Sequence, residues 1–266
     1  MTHHSQEHPS MQLYSASSSY YSMIARLALL EAGLQFEDKR LDIHFKKEQL
    51  THWYRALNPK MTVPTLIDKD SVYTDSRDIL HLAADRANMN WQDCEPSIHG
   101  ALKSLEDQFY AIQIEKITFS KAMLSIPPLR FLFPRLLKNI LIKLNMELAT
   151  APDKNAVTEK IKLNQARIAF FTEGNLKDKL NNELQSVAVF LKQLPKPSPM
   201  FFGDKLSSAD ILTAVLLTRL NMIGETDFVK DYNEIDLWFK EFQSRPAFLK
   251  ADMWLKFQPL RILLRT

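Results

Sequence analysis

Hydroxyl side chains cluster near the amino terminus in a pattern that could stabilise a negative charge. Seven of the eight residues in segment 15–22 are Ser or Tyr, and a helical apolar pattern follows them. A serine at the start of a helix can cap the free backbone amides. Its hydroxyl can also donate to a bound anion, with help from the helix dipole. The candidates for these two roles are Ser17, Ser18, Ser19 and Ser22.

A second place for charged groups is predicted at Asp75 and Ser76, which open a helical pattern running to Ala87. A helix amino terminus and a serine hydroxyl suit a carboxylate, and an aspartate suits an ammonium group. Ordinary capping by Asp75 is compatible with both roles. Ser207 and Asp210 have the spacing of a capping box, and there we expect helix initiation rather than catalysis.

The composition excludes several other kinds of site. The chain has 266 residues, a net charge of +3 and only 5 glycines. It contains no glycine-rich phosphate loop, and its balanced charge argues against nucleic-acid binding. The single cysteine, Cys94, excludes an internal disulfide and a cysteine-based zinc site and is typical of a reducing compartment.

The first ten residues carry no signal of secretion. His3, His4 and His8 could bind a metal, but segment 1–10 is polar and we expect a disordered tail there. The segment lacks the apolar core of a signal peptide, and no long uncharged apolar stretch follows it. We therefore predict a cytoplasmic protein without a metal.

The elements that would position these residues follow the order βαβαββα from residue 11 to 87. The predicted elements include a strand from Met11, a strand over Phe36–Ile43, a helix over Glu48–Leu57 and a hairpin turn at 68–70. Segment 88–96 is polar and is predicted to be a linker. Helices follow, over Ser97–Ser125, Thr158–Gly174, Leu176–Leu194, Ser207–Met222 and Glu234–Ser244.

This order resembles that of the cytosolic glutathione transferase superfamily, and four motifs strengthen the resemblance. Asn58-Pro59 with Val63-Pro64-Thr65-Leu66 looks like the segment that presents the family's cis-proline. Asp75-Ser76 is similar to the pair that binds the γ-glutamyl end of glutathione. Segment 203–211 resembles the folding motif of the helical domain, and segment 238–248 resembles its late helix. The resemblance spans about residues 11 to 250.

The resemblance implies a thioredoxin-like α/β domain over 11–87 and an all-α helical domain over 97–255. It also implies transfer of glutathione, as co-substrate, to a small hydrophobic electrophile. Ser19 aligns with the serine that stabilises the thiolate, and Tyr14 is its rival because tyrosine-type members keep their tyrosine at the end of the first strand. Most members are homodimers, which we expect here too.

The resemblance also assigns the binding residues. Val63 and Pro64 would pair with the cysteinyl backbone of glutathione, and Asp75 and Ser76 would bind its γ-glutamyl group. The second-substrate pocket is predicted to include Tyr20, Tyr21, Phe109, Tyr110 and Phe119.

Within the superfamily, segment 13–28 looks most like tetrachlorohydroquinone reductive dehalogenases and, less closely, zeta-class transferases, some of which are isomerases. The dehalogenases carry a cysteine where this chain has Tyr21. Their cysteine resolves a mixed disulfide with glutathione, so Tyr21 argues against reductive dehalogenation by that route.

Segment 126–146 is a basic, apolar insertion and is similar to one in ganglioside-induced differentiation-associated proteins. No acidic residue occurs between Lys116 and Met146, and Pro127, Pro128 and Pro134 predict local helix breaks. Segment 256–266 is a second basic, apolar stretch. Both could pack on the core, line an aromatic pocket or contact an anionic membrane surface. A catalytically weak binding or scaffold protein, docked through such a segment, is the alternative function.

Overall fold

The computed structural model describes residues 11–87, 96–226, 231–258 and 261. Outside these ranges lie the predicted amino-terminal tail (1–10) and nearly all of the predicted linker (88–96), including Cys94. The first domain comprises β1 (Met11–Ser15), α1 (Tyr20–Glu31), β2 (Glu37–Arg40), a 3-10 turn (Glu48–Leu50), α2 (His52–Leu57), β3 (Thr65–Asp68), β4 (Ser71–Tyr73) and α3 (Ser76–Arg86). The second comprises α4 (Pro96–Ala111), α5 (Ile114–Ser125), α6 (Leu129–Leu148), α7 (Lys154–Thr172), α8 (Leu176–Gln193), α9 (Ser208–Ile223), α10 (Asn233–Phe242) and α11 (Pro246–Lys250).

The four strands form one mixed sheet in the order β2-β1-β3-β4. β1 is parallel to β2 and antiparallel to β3, and β3 is antiparallel to β4. This order of strands and helices, followed by the helical second domain, confirms the predicted fold class.

The core is continuous between the two domains. Alternation along β1 buries Met11, Leu13 and Ser15 on one face and leaves the other face half-buried. α1 packs between α3 and α9, and it is buried on almost every side. α9 is equally apolar, and the carboxylate of Asp210 accepts hydrogen bonds from the Ser207 amide and hydroxyl at its start. The predicted role of Asp210 in helix initiation is thereby confirmed.

Four expectations about element boundaries are wrong. The helix predicted over Glu48–Leu57 is divided at Thr51, whose extended backbone separates the 3-10 turn from α2. The second strand ends at Arg40 because the Asp42 carboxylate accepts the amides of His44 and Phe45 and turns the chain. The long helix predicted over Ser97–Ser125 is two helices. Ile112 and Ile114 are both buried, and a continuous helix would point them in nearly opposite directions.

The fourth error concerns the insertion. Pro127 and Pro128 do separate α5 from α6, but α6 continues through Pro134. Pro134 is buried and stands in the second turn of the helix. There it removes one backbone hydrogen bond, while packing against the neighbouring helices supports the rest.

α6 and α7 form a hairpin that packs on the first domain. Leu144, Val157 and Ile161 of the hairpin share a core with Leu50 and Met61. An ion pair between Arg55 and Glu147 joins the same surfaces. The Lys160 ammonium donates to the carbonyls of Lys60 and Met61 at 3.2 and 3.1 Å. None of the helices in the described part of the chain could cross a bilayer.

Candidate active site

Ser19 occupies the N-cap of α1, with φ −74° and ψ 124°. Its hydroxyl oxygen accepts a hydrogen bond from the Ser22 amide at 3.3 Å. A serine that accepts in this way still has its own proton to donate, and among the described residues none accepts it. Ser19 therefore caps the helix and can also donate to a ligand at the helix amino terminus.

The three neighbouring serines are engaged elsewhere. The Ser17 hydroxyl accepts from the Arg40 guanidinium at 3.0 Å, and the Ser18 hydroxyl lies 2.8 Å from His44 Nε2. Ser22 is fully buried and accepts the Ala16 amide. The Ser17 and Ser22 hydroxyls also only accept, but Ser22 is fully buried and Ser17 is bound by Arg40. Ser19 is distinguished by its place at the N-cap of α1.

Two buried arginines hold the loop that carries Ser19. Arg26 of α1 donates to the carbonyls of Ala16 and Ser17, and Arg219 of α9 donates to the carbonyl of Ser18 at 2.7 Å. Burial lowers the pKa of Arg26 to about 9 and that of Arg219 to about 10, so both stay cationic at neutral pH. The loop carbonyls are turned toward these cations, which places positive charge behind the amino terminus of α1.

The predicted cis peptide bond between Val63 and Pro64 is present. The preceding loop is fixed by side chains of the first domain, since the Tyr54 hydroxyl and the Asn58 amide both donate to the Thr62 carbonyl. In the described structure the Val63 amide and carbonyl form no backbone hydrogen bond. They are therefore available to pair with an extended peptide.

Asp75 caps α3 through the Arg77 amide at 3.0 Å, as the capping interpretation predicts. Its carboxylate is exposed. Ser76 is buried, and its hydroxyl lies 3.2 Å from the Tyr110 hydroxyl of the helical domain. Burial raises the pKa of Tyr110 well above its ordinary value, so this phenol stays protonated and can donate.

Four of the five predicted pocket aromatics lie together between α1 and α4. Tyr20 stacks on Phe109 with ring centres 5.7 Å apart, and Tyr21 stacks on Tyr110 at 6.4 Å. Tyr21 stays partly exposed, and burial raises its pKa. These rings form an apolar wall next to the serine loop.

Phe119 is not part of this wall. It stacks on Phe133 with ring centres 4.1 Å apart and packs edge-on against Phe171. The break between α4 and α5 separates Phe119 from Phe109, and its cluster joins α5 to the hairpin of α6 and α7.

Tyr14 faces α2 rather than α1. Tyr14 lies on the half-buried face of β1, where its ring is 5.8 Å from Trp53 and 6.1 Å from Tyr54 of α2. Because side chains alternate along a strand, this is the face opposite to Leu13 and α1. Ser19 stands at the amino terminus of α1 itself.

A cleft of about 180 Å³ opens beside the serine loop. It is lined partly by Ser17, Ser18, Arg40, His44, Lys46, Trp254 and Arg261. Burial lowers the pKa of His44, so the histidine is neutral at physiological pH. No group of side chains in the described residues could hold a metal ion.

Sequence reasoning assigned no role to Arg26 or Arg219. A signal was present, because each is a lone cation inside an otherwise apolar helical run. A buried cation must find partners, and here the partners are the carbonyls of the serine loop. Only the folded chain shows which carbonyls these are.

Family models match the two domains of this chain. The amino-terminal domain of glutathione S-transferase matches residues 18–86, and the carboxyl-terminal domain matches residues 153–246. Among curated relatives, a tetrachloro-p-hydroquinone reductive dehalogenase of Sphingobium chlorophenolicum is 25% identical over 249 residues, covering 91% of this chain and 96% of the relative. Glutathione S-transferase F10 of Arabidopsis thaliana is 25% identical over 86% of this chain and 90% of its own length.

Solved structures have the same fold. Glutathione transferase F7 of Populus trichocarpa superposes with a TM-score of 0.61 and 19% identity, over 93% of this chain and all of that one. A family member from Pseudomonas fluorescens with two glutathione molecules bound gives a TM-score of 0.61 and 16% identity, over 91% and 92% of the two chains. The matched models together cover more than half of the sequence, and the chain therefore belongs to the glutathione transferase family.

Proposed function

We propose that this protein is a cytoplasmic glutathione transferase that uses Ser19 to stabilise the thiolate of glutathione. The observation that supports this most directly is the Ser19 hydroxyl at the N-cap of α1, whose proton has no acceptor among the described residues, on a loop fixed by two buried cations. Glutathione would lie along β3, with its cysteinyl backbone paired to Val63 beside Pro64. Its γ-glutamyl group would lie at the start of α3, near Asp75 and Ser76.

One serine hydroxyl and one helix amino terminus supply enough free energy to ionise the thiol of glutathione near neutral pH. A free cysteine thiol has a pKa of about 8.5, so only about 3% is thiolate at pH 7. Lowering that pKa by about two units takes roughly 2.7 kcal/mol. A hydroxyl that donates to an anion supplies roughly 1.5–3 kcal/mol, and a helix amino terminus adds about 0.3–1 kcal/mol. The thiol proton passes to water. The thiolate sulfur then attacks the electrophilic carbon, a carbon–sulfur bond forms, and the leaving group departs with its electron pair as an anion, such as a halide, to give the thioether.

The wall of Tyr20, Tyr21, Phe109 and Tyr110 supports a hydrophobic, planar second substrate. Tyr21, the most exposed of the four rings, would contact this substrate near the thiolate, with Tyr20 and Phe109 buried behind it. Transfer is favoured over reductive dehalogenation because Tyr21 stands where the dehalogenases carry their cysteine, and its ring is stacked on Tyr110. A homodimer stays a prediction from the family, with the α6–α7 hairpin covering one face of the first domain.

The test is turnover of a standard aromatic electrophile by Ser19→Ala. Loss of the hydroxyl should lower the rate about 10- to 150-fold at neutral pH, which corresponds to the 1.5–3 kcal/mol of one such hydrogen bond. Much of the rate should return at high pH, where glutathione ionises without help. Ser19→Thr, which keeps the hydroxyl, should retain most of the activity.

Two matched variants separate the serine from its rivals. Ser17→Ala removes a hydroxyl from the same loop and should keep nearly full activity. Tyr14→Phe removes only the rival hydroxyl and should do the same. Normal turnover by Ser19→Ala together with a loss in Tyr14→Phe would assign the thiolate to Tyr14 instead.

A further inference from the structure

The outward face of α6 exposes large apolar side chains. Phe131 is 70% exposed and Met146 is 76% exposed. Three more exposed apolar residues lie between them on the same helix: Leu132, Leu136 and Ile142. α6 lies outside both family models, and we refer to these five residues as the α6 apolar patch.

Basic side chains share this helix with the patch. The basic residues of α6 are Arg130, Arg135, Lys138 and Lys143. No acidic residue occurs between positions 116 and 146, and among the described residues none of the four basic groups forms an ion pair. Phe131, Arg135, Lys138, Ile142 and Met146 follow at spacings of three and four, so they share one side of the helix. That stripe is about 22 Å long, from the helical rise of about 1.5 Å per residue.

We propose that the α6 apolar patch docks this protein on an anionic membrane surface, with the helix lying in the plane of the interface. Apolar side chains on such a helix insert between headgroups, and basic side chains pair with anionic lipid. The proposal does not depend on glutathione binding, because the patch is on α6 of the second domain whereas the candidate glutathione residues are on the first.

The charge distribution favours lipid over other occupants. A two-fold dimer through this face would set the basic side chains of one copy against those of the other, because such an interface is self-complementary. Nucleic acid would satisfy the charge but not the five exposed apolar side chains. An anionic bilayer surface satisfies both.

The experiment is co-sedimentation of the full chain with phosphatidylcholine vesicles that contain about one third phosphatidylserine. We expect binding to these vesicles and much weaker binding to pure phosphatidylcholine. Raising the salt from about 0.1 M to about 1 M should release the protein, since the Debye length falls from about 10 Å to about 3 Å.

Three variants locate the contact. Arg135→Gln with Lys138→Gln should weaken binding about 25-fold, at roughly fivefold for each basic side chain. Phe131→Ser with Met146→Ser should also lose most binding. The matched control is Leu237→Ser with Leu249→Ser, which changes two equally exposed apolar residues of α10 and α11 and should bind as the unchanged chain does.

These positions are exposed, so all variants should fold, which circular dichroism and the thermal midpoint check. Absence of sedimentation with anionic vesicles would overturn the proposal. So would equal binding to neutral vesicles, or equal losses in the patch and control variants. Self-association that the patch variants abolish, without lipid binding, would assign the face to a second copy of the chain.

Discussion

Arginines serve opposite purposes in two regions of this molecule. Behind the serine loop, Arg26 and Arg219 are buried and donate to backbone carbonyls of the loop and of segment 251–252. On α6, Arg135 is exposed and forms no ion pair within the described residues. The residue type is the same in both regions. A buried arginine binds carbonyls of its own chain and fixes the loop, whereas an exposed arginine is free to bind another molecule. Substitutions that remove single cations should separate these roles.

The largest effect is expected from Arg26→Leu. Its guanidinium donates to carbonyls of four residues, Ala16, Ser17, Ala251 and Asp252, and removing it leaves buried acceptors without a donor. Each such group costs about 1–3 kcal/mol. We expect the free energy of unfolding to fall by about 3 kcal/mol or more, measured by urea denaturation.

The matched control is Arg135→Leu, the same change at an exposed position. It should alter the free energy of unfolding by less than about 0.5 kcal/mol. Equal losses in the two variants would mean that the distinction between buried and exposed arginines does not govern stability here.

A smaller effect is expected from Arg219→Leu. Among the described residues this side chain donates to the Ser18 carbonyl alone, and its guanidinium lies 5.6 Å from the centre of the Tyr20 ring. We expect a loss of about 2 kcal/mol in unfolding free energy, together with a raised thiol pKa of bound glutathione. The ultraviolet absorbance of the thiolate reports that pKa. A purely structural role would lower the unfolding free energy and leave the thiol pKa unchanged.

Lys160 is less buried than Arg26 and more buried than Arg135, and its contribution to the free energy of unfolding should depend on pH. Burial lowers its pKa to about 8, while the unfolded chain keeps an ordinary value of about 10.4. Between these values the unfolded state binds more protons, so stability rises with pH. From pH 7 to pH 9 the gain should be about 1 kcal/mol.

The check compares this chain with Lys160→Met, which has no ammonium to titrate. Chemical denaturation at several pH values should show a rising stability difference in favour of the lysine chain. A difference that stays constant from pH 7 to pH 9 would show that Lys160 keeps its charge in the folded protein.

Local patterns in the sequence were enough for most of the helices and strands and for the helix starts that carry the candidate residues. Alternation identified β1, helical spacing identified α1 and α9, and capping chemistry placed Asp75 at a helix start. It predicted a cap among the serines of segment 15–22, and the resemblance selected Ser19 from them. These features depend on residues close together in the chain. The resemblance then supplied the cis bond before Pro64, which a single proline in isolation would not have indicated.

What the sequence did not indicate depends on packing between distant segments. Arg219 is about 200 positions from Ser18, and nothing local connects them. The helix breaks between Ala111 and Ile114 because Ile112 and Ile114 are both buried, which a continuous helix would not allow. α6 passes through Pro134 because its neighbours support it. Phe119 was predicted beside Phe109, but packing between α5 and the α6–α7 hairpin puts it with Phe133 and Phe171 instead.

The central claim is that this chain binds glutathione with its thiol at Ser19. The most direct measurement is calorimetric titration with glutathione and with S-methylglutathione, using the unchanged chain and Ser19→Ala. We expect saturable binding of both ligands to the unchanged chain, tighter for glutathione near neutral pH, and loss of that preference in Ser19→Ala. Absence of heat for both ligands with a folded protein would contradict the account.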